Sequence, residues 1–354
     1  MPFENLASKI KAAYKQALDK QHVLFTESDV VDADDAATGI PFEIRFAPAL
    51  QKKPTDPSTT TEGARPVKDK PDPFAAPYQE GLFVTEDVVR EDERDTTGER
   101  FAVLLNKFCV TPRHFLLVTK DFAPQTAPLT PLELVATYSI LKQLGAREKH
   151  LAFFNCGPLS GASQPHKHLQ FIPLPNGTAP FDTFIEDNKP SNPRDPFQLP
   201  LPYANFTTIL SPPQDQQSWP AYFARTFLPL LDLMIEHLRR LAHGDGQTAI
   251  KLSSLSYNVI MTLSYMQIVP RMAEDYELPN RERVSVNSLG FAGMLLVKSS
   301  SALQAVQEIG VLRVLQGVAY RPVAAGESRD EVKGEGKELA GAVPASTEPP
   351  ETSP

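Results

Sequence analysis

The sequence predicts an α+β fold built on an antiparallel sheet. Residues 101–110 and 115–120 are two apolar runs separated by a short Thr-Pro-Arg-His turn, the pattern of a strand pair. A helix is predicted for residues 129–144, followed by two more strand-like runs at 151–155 and 166–174. Two strands, a helix and two further strands are typical of an antiparallel sheet flanked by helices.

Towards the N-terminus, the apolar residues of the stretch 3–18 recur at helical spacing and predict an amphipathic helix. A strand is expected near residues 42–46. Residues 48–77 are rich in Pro, Lys, Asp and Thr, and we expect a long surface loop there. The central helix carries its own start signal, because Thr130 can cap it and Glu133 lies three positions further on.

The second half of the chain begins with a Pro-rich connection and then mixes helices and strands. The predicted elements are a helix at 220–243, strands at 257–262, 264–269 and 291–297, and a helix at 301–316 with Leu303, Val306, Val311 and Leu315 on its buried face. From residue 324 onward the chain is small, charged and Pro-rich, as in a disordered tail. We expect a catalytic region at 1–200, a second region at 201–320 packed on the same core, and a tail at 321–354.

The formal net charge of the 354-residue chain is −8, which argues against nucleic acid or an anionic membrane as its main partner. No apolar run in the sequence is long enough to span a bilayer. The two cysteines, Cys109 and Cys156, are isolated, so they predict neither a disulfide framework nor a cysteine zinc site. We expect a cytoplasmic protein, with the nucleus as a second compartment. The amphipathic N-terminus leaves a mitochondrial presequence as the alternative.

The residues that carry chemistry lie on the strand predicted at 166–174. Side chains two apart on a strand point the same way, so His166, His168 and Gln170 share one face. They follow a loop of glycines and small residues, 157–164, whose backbone N–H groups can approach a phosphate closely. A neutral imidazole is a nucleophile for phosphorus, and an amide can contact phosphate oxygens without adding charge. The pattern therefore favours a phosphate-handling site.

Other interpretations of the two histidines stay open at this point. They could be a polar pair in the core or at the surface, or two ligands of a zinc site, although a third ligand at short range is missing. Outside this strand, His114 is interpreted as a loop histidine. A solvated surface charge is the plain alternative for Arg271 and for six lysines, Lys52, Lys53, Lys68, Lys70, Lys107 and Lys298.

The stretch from Gly161 to Gln170, with its His-x-His-x-Gln centre, resembles the histidine triad superfamily in the branch where glutamine replaces the third histidine. Within that branch the chain is similar to the diadenosine tetraphosphate phosphorylases, also called ATP adenylyltransferases. The segments that extend the resemblance are 105–108, 114–120, 153–157, 257–259, 268–271 and 293–298. The sister group, the galactose-1-phosphate uridylyltransferases, has Pro where this chain has Lys167 and often carries cysteine-containing zinc sites.

The resemblance implies a histidine-triad-like fold and a set of site residues. His168 is the expected nucleophile, with His166 and Gln170 beside it in the catalytic set. The substrate-binding residues that the resemblance implies are Lys53, Asn106, Lys107, Asn155, Gly161, Ala162, Ser163, Gln164, Asn287, Ser288, Leu289, Met294 and Lys298. Lys52 aligns nearly as well as Lys53 at the N-terminal position. The resemblance implies no metal-binding residues.

The activity implied by the resemblance is the reversible phosphorolysis of diadenosine tetraphosphate to ATP and ADP through an adenylyl-histidine. Inorganic phosphate is the second substrate, and a divalent cation, Mg²⁺ above all, is expected to bind with the polyphosphate. Adenylylsulfate is an implied side substrate. The alternatives are a hexose-1-phosphate uridylyltransferase-like enzyme, a nucleotide-binding sensor on the same fold and a zinc hydrolase that uses His166 and His168. Neither nucleic acid nor a membrane is an expected partner.

Overall fold

The computed structural model describes residues 2–35, 38–52, 71–92, 94–193, 195–244 and 255–323. The tail predicted from residue 324 onward, most of the loop predicted at 48–77 and Lys53 lie outside the described residues. Residues Met1–Pro322 form one compact unit. Within the described ranges, no helix has the length and apolar character needed to cross a membrane.

The elements of the described ranges follow one another as a mixture of helices and strands. The helices are α1 (Leu6–Asp19), α2 (Pro131–Gly145), α3 (Phe181–Asn188), α4 (Trp219–Gly244), α5 (Ser288–Phe291), α6 (Ser300–Ile309) and α7 (Val311–Val318), with short 3-10 helices at Pro48–Lys52 and Gln216–Ser218. The strands are β1 (Leu24–Phe25), β2 (Asp29–Asp32), β3 (Glu43–Phe46), β4 (Phe83–Val89), β5 (Glu99–Leu105), β6 (Phe108–Cys109), β7 (Phe115–Thr119), β8 (His150–Cys156), β9 (His168–Pro173), β10 (Phe206–Ile209), β11 (Tyr257–Met261), β12 (Tyr265–Pro270), β13 (Asp275–Glu277), β14 (Arg283–Ser285) and β15 (Met294–Val297).

In the described part of the chain, the main sheet has eight strands in the order β10-β12-β11-β8-β9-β7-β5-β4. Every neighbouring pair in it is antiparallel, which confirms the predicted sheet. The pairing of β8 with β11 places Asn155 opposite Asn258 and joins the two halves of the chain in one sheet. The division predicted at residue 200 stays a prediction.

Both faces of this sheet are buried, which explains why its strands are continuous apolar runs rather than alternating ones. On one face, Phe154 and Leu169 belong to a core that includes α1, α2 and α4. On the opposite face, Phe153 and Ile172 pack with β3, β15, α6 and α7. A smaller cluster on β5 and β7 packs against Phe74 on that second face. The histidine strand β9 lies between the last two clusters.

Helix α2 begins as the sequence predicts. The Thr130 hydroxyl accepts a 3.1 Å hydrogen bond from the Glu133 N–H, and the Glu133 carboxylate accepts one of 2.7 Å from the Thr130 N–H. The same carboxylate lies 2.7 Å from Nζ of Lys167, and both side chains are 2% exposed. Because Lys167 stands between the two histidines, this buried ion pair connects the histidine strand to α2.

The apolar run at 101–110 is not one strand, so that prediction is wrong in part. Strand β5 ends at Leu105, and Phe108–Cys109 leave the main sheet to pair in parallel with β1. Between them, the Asn106 side chain accepts a 3.2 Å hydrogen bond from the Phe108 N–H, which turns the chain. Asn106 and Lys107 therefore lie at a break, where both can face a ligand.

The helix predicted at 301–316 is two helices, α6 and α7, separated at Gly310. The φ of Gly310 is 84°, a left-handed conformation that ends α6 and that glycine adopts without steric cost. The apolar pattern continues through the break because both helices meet the same core, which includes Val306, Val311 and Leu315. Similarly, Phe291 closes α5, and the strand predicted from 291 begins at Met294.

The ion pair at the start of α2 generates a stability prediction. Glu133→Ala should lower the free energy of unfolding by about 3–5 kcal/mol, because it leaves the buried ammonium of Lys167 without its carboxylate. Thr130→Ala, which removes the cap and keeps the ion pair, should cost only about 1 kcal/mol. Urea unfolding followed by fluorescence measures both, and equal losses in the two variants would contradict the assignment.

Candidate active site

A cavity of about 270 Å³ lies over β5, β7 and β9 on the face of the sheet that carries Leu104 and Leu116. It is lined by Pro73, Phe74, Gln79, Leu82, Leu104, Leu105, Asn106, Lys107, Phe108, Leu116, Ser163, Gln164, His168 and Gln170. The floor comes from the sheet and the walls come from the segment after residue 70, the break at 106–108 and the glycine-containing loop. Apolar and polar side chains therefore meet in one concave site, as ligand sites require.

His168 is held in one tautomer by the backbone. Its Nδ1 lies 2.9 Å from the carbonyl oxygen of His166, and a carbonyl can only accept, so Nδ1 carries the proton and Nε2 keeps its lone pair. The ring is 3% exposed and lies 4.8 Å from the ring of Phe74, centroid to centroid. Burial lowers the pKa of His168 to about 4, so the imidazole is neutral at physiological pH. This is the protonation state of a nucleophile.

Gln170 is oriented by His114, for which the sequence predicts only a position in a loop. Nε2 of His114 donates to Oε1 of Gln170 at 3.1 Å, and Nδ1 of His114 accepts from the side-chain amide of Asn106 at 3.0 Å. Burial lowers the pKa of His114 to about 4, which keeps the ring neutral with one donor and one acceptor. His114 does lie in a loop, directly before β7, but it is buried and belongs to the site.

His166 does not line the cavity, although it precedes His168 by two residues. Strand β9 begins only at His168, and His166 forms an isolated bridge with Pro124. The His166 ring lies between Asp72, 2.6 Å from Nδ1, and the carbonyl of Thr119, 2.7 Å from Nε2. The predicted shared face of His168 and Gln170 is confirmed, while His166 turns to other partners.

Gln125 fixes the backbone around His168. Its Oε1 accepts from the His168 N–H at 2.8 Å, and its amide donates to the carbonyl oxygens of Asn155 at 2.8 Å and His168 at 3.3 Å. The loop that follows β8 requires glycine at Gly161, since its φ is 82° and an added Cβ would lie 2.8 Å from Cβ of Asn287. Ser163, two residues further, reaches the cavity.

Below the loop lies a buried network of amides and hydroxyls. Oδ1 of Asn155 accepts from the hydroxyl of Ser288 at 2.7 Å and from the amide of Asn258 at 2.8 Å. Among the described residues, Nδ2 of Asn155 is a buried donor with no hydrogen-bond partner. Asn258 also donates to the carbonyl of Ser160 at 2.9 Å, so the network supports the loop directly.

Arg271 completes this network, and its interpretation as a solvated surface charge is wrong. The side chain is 1% exposed. Its guanidinium donates to Oδ1 of Asn258 at 2.6 Å and to the carbonyl oxygens of Val286 at 2.8 Å and Ala273 at 2.7 Å. Burial lowers its pKa to about 9, so it stays charged at neutral pH. One cation therefore connects its own segment with those of Asn258 and Val286 behind the site.

The structure brings only part of the predicted binding set to the cavity. Asn106, Lys107, Ser163, Gln164, His168 and Gln170 line it. Asn155, Gly161, Ala162, Asn287 and Ser288 belong to or adjoin the loop and its supporting network. Leu289 and Met294 belong with the second core, and Lys298 is exposed at the end of β15. Lys53 lies outside the described residues, and substrate binding by all these residues stays a prediction.

The contacts of the site that the sequence did not predict come from distant segments. Four residues each contact a residue of the stretch 166–170, yet no spacing rule connects them to it: Asp72, Phe74, His114 and Gln125. The sequence feature that comes nearest to predicting one of these contacts is the pair Asn106 and His114, two polar residues on either side of a turn between strands. In the described ranges, no group of three or more His, Cys, Asp or Glu side chains is arranged to hold a metal ion.

Two family models match the chain: the Ap4A phosphorylase N-terminal domain over residues 1–187 and the ATP adenylyltransferase C-terminal domain over residues 199–321. The chain belongs to the Ap4A phosphorylase family. Diadenosine 5′,5‴-P1,P4-tetraphosphate phosphorylase 2 of Saccharomyces cerevisiae is 31% identical over 317 residues, which cover 86% of this chain and 91% of that relative. Protein APA1 of the same yeast is 28% identical over 313 residues, covering 86% and 90%.

Solved structures of the family agree. The crystal structure of yeast Ap4A phosphorylase Apa2 in complex with AMP matches with a TM-score of 0.72 at 31% identity, covering 93% of this chain and 100% of that chain. The same yeast protein in complex with Ap4A matches with a TM-score of 0.71 at 30% identity, covering 92% and 100%. The resemblance to this family and the predicted fold class are confirmed.

The buried position of Arg271 generates a second stability prediction. Arg271→Met should lower the free energy of unfolding by several kcal/mol, because each buried carbonyl left without a donor costs about 1–3 kcal/mol. Arg271→Lys should recover only part of this loss, since an ammonium cannot reproduce the planar fork. Arg240→Met is the control: Arg240 is exposed and pairs with Glu236 one turn away, so its loss should stay within about 0.5 kcal/mol. Similar denaturation midpoints for Arg271→Met and Arg240→Met would refute the role.

Proposed function

We propose that this chain phosphorolyses diadenosine tetraphosphate to ATP and ADP, reversibly, through an adenylyl-histidine on His168. The chain is 31% identical to a yeast diadenosine tetraphosphate phosphorylase, and a yeast homologue of known structure was solved in complex with Ap4A. The observation that carries the proposal is the geometry of His168. The ring lines the cavity, and its Nδ1 donates to a backbone carbonyl, so the neutral imidazole presents the lone pair of Nε2.

The reaction takes two displacements at one phosphorus. Nε2 of His168 attacks an α-phosphorus of the dinucleotide, the N–P bond forms, the bond to the bridging oxygen breaks, and ATP leaves with that oxygen. An oxygen of inorganic phosphate then attacks the same phosphorus, the N–P bond breaks, and ADP leaves. Because each displacement inverts the phosphorus, the complete reaction retains its configuration.

Uncharged donors surround the place where charge develops. Because Oε1 of Gln170 already accepts a hydrogen bond from His114, the side-chain N–H groups of Gln170 are the atoms that can donate to a phosphate oxygen. Ser163 and Gln164 line the same cavity, and Lys107 brings a positive charge to it. Donors held in place in this way stabilise a phosphoryl transition state without rearranging during the reaction.

A divalent cation fits this site only as a companion of the substrate. The carboxylate that contacts the stretch 166–170 on the cavity side, Asp72, is already paired with His166. The described residues therefore offer no set of ligands for a resident metal ion, and Mg²⁺ would be held by the polyphosphate that it neutralises.

We propose adenylylsulfate as a side substrate, with phosphate displacing sulfate at the same histidine. The compartment we propose is the cytoplasm, since both cysteines are free and buried.

The covalent step generates the central prediction. Wild-type protein incubated with dinucleotide labelled in the adenylyl groups, without phosphate, should retain one equivalent of labelled AMP and release it as ADP when phosphate is added. His168→Asn should remove the label and lower kcat by roughly 10⁴-fold or more, the usual result of deleting a covalent nucleophile. His22→Asn, which changes a histidine outside the cavity lining, should leave both unchanged. An unlabelled wild type that still converts the dinucleotide would refute the intermediate.

The depressed pKa of His168 generates a prediction on pH. In the proposed mechanism the neutral ring of His168 is the nucleophile, so a lowered pKa extends activity towards acid pH. The adenylylation rate should be constant from pH 7 to about 5 and fall at lower pH with a midpoint near 4. An ordinary histidine would give a midpoint near about 6.5. Rapid-quench measurement of the first turnover checks this. Circular dichroism must accompany it, because His114 and His168 bind fewer protons when folded, so stability also falls as pH drops from about 6.5 towards 4.

Dependence on phosphate separates the alternatives. A zinc hydrolase needs only water and would split the dinucleotide without phosphate, whereas a sensor would bind it without turnover. A hexose-1-phosphate uridylyltransferase-like enzyme would hold labelled UMP and pass it to a sugar phosphate. A phosphorylase with the mechanism proposed above should release at most one equivalent of ATP per chain without phosphate, and should turn over to ATP and ADP only when phosphate is present.

A further inference from the structure

One short segment contacts both histidines. Oδ2 of Asp72 lies 2.6 Å from Nδ1 of His166, and Oδ1 of Asp72 accepts a 2.9 Å hydrogen bond from the N–H of Phe74. The Phe74 ring in turn lies 4.8 Å from the ring of His168 and lines the cavity. A single carboxylate therefore orients an aromatic wall of the cavity and contacts the residue that precedes the nucleophile by two.

Both ring nitrogens of His166 face acceptors. Nε2 lies 2.7 Å from the carbonyl oxygen of Thr119 and 3.2 Å from the hydroxyl oxygen of the same residue. The carbonyl is the nearer partner and can only accept, so Nε2 carries a proton and the hydroxyl is its second, longer acceptor. Nδ1 faces the Asp72 carboxylate. A neutral imidazole has one N–H, so it would direct the lone pair of Nδ1 at a carboxylate oxygen only 2.6 Å away. The contact is attractive only if the pair holds one more proton.

We infer that Asp72 and His166 form a carboxylate–imidazolium pair, and that this pair is a positioning device for the nucleophile. Its catalytic consequence rests on the function proposed above. The pair acts on His168 by two routes. The carbonyl of His166 accepts from Nδ1 of His168, and Phe74, held by Asp72, packs on the His168 ring. The pair is a neutral unit, which makes the burial of His166, 1% exposed, less costly than that of a lone cation.

Among the groups described around His166, Asp72 is the one that balances the positive charge of the imidazolium. The rings of Phe74 and Phe122 lie 6.3 and 5.3 Å away, centroid to centroid. Lys167, next in the chain, is paired with Glu133, and Lys120, which follows Thr119, is paired with Glu86. Within the strand itself, His168 is neutral, as its pKa of about 4 requires.

Loss of the shared proton should disturb the site. Once His166 is neutral, the lone pair of Nδ1 opposes the carboxylate, and Asp72 moves away together with Phe74. The wall of the cavity and the acceptor for His168 are then displaced, so binding of the nucleotide weakens. The pair thus predicts an alkaline limit on kcat/KM that is separate from the acid limit set by His168.

The direct test observes the proton without using activity. In protein labelled with ¹⁵N-histidine, correlation spectra at pH 7.5 should show one of the seven histidine rings with both nitrogens protonated. Asp72→Asn should abolish that signal, because the Asn amide can donate to a neutral Nδ1 and keeps the contact without the extra proton. Asp215→Asn is the matched control: Asp215 makes the same bond to a backbone N–H two residues on, at an exposed position. A wild-type spectrum in which every ring is neutral would overturn the inference.

The kinetic test uses the same variants. In wild-type and Asp215→Asn protein, kcat/KM should fall at alkaline pH, mainly through a rise in KM. In Asp72→Asn this alkaline limb should be absent, because the Asn amide keeps its contact with a neutral His166 ring and no proton is left to lose, while the acid limb stays in place. A purely structural hydrogen bond would leave the profile of Asp72→Asn unchanged, and that result would refute the inference. Absence of phosphorolysis in a protein whose imidazolium signal is present would instead refute the proposed function.

Discussion

The hydrogen bond from Nδ1 of His168 to the carbonyl of His166 is the interaction on which the site depends. A carbonyl can only accept, so this one contact determines which ring nitrogen keeps a lone pair. Much of the surrounding structure serves to keep that carbonyl in place. The Gln125 side chain accepts a hydrogen bond from the His168 N–H. Strands β7 and β8 pair with the two edges of β9 and fix its register. The chemistry of one imidazole is thus set by the sheet that carries it.

The cavity lies where the layer that contains α6 and α7 stops covering the main sheet. On one face of the sheet the helices α1, α2 and α4 cover the strands, and on the other face α6, α7 and two further strands cover only part. Between that layer and the small cluster around Phe74 lies the cavity, with its floor on β9 and β7. Polar side chains on β9 are tolerated because they face this gap, whereas their neighbours Leu169 and Phe171 face the helical core.

Most of the polar side chains next to His168 are uncharged. His114 and His168 are neutral, Gln170 and Asn106 are amides, and the cation Lys167 faces α2 rather than the cavity. A carboxylate beside His168 would raise its pKa and block the lone pair, but the nearby Asp72 is occupied by His166. Arg271 places its charge behind the loop, where carbonyl oxygens surround it. The arrangement leaves the neutral imidazole of His168 at the cavity, with the lone pair of Nε2 free.

Local sequence determined the elements whose signals are local. The capping residues of α2, the strand pair around the turn at 111–114, and the alternation that places His168 and Gln170 on one face could all be predicted, because helix and strand geometry connects residues a few positions apart. Tertiary structure alone decided the partners: Asp72, His114 and Gln125 reach the strand from segments 43 to 94 positions away. It also buried Arg271, whose type and spacing predict a surface charge. These outcomes depend on strand order and packing between distant segments, which no local periodicity encodes.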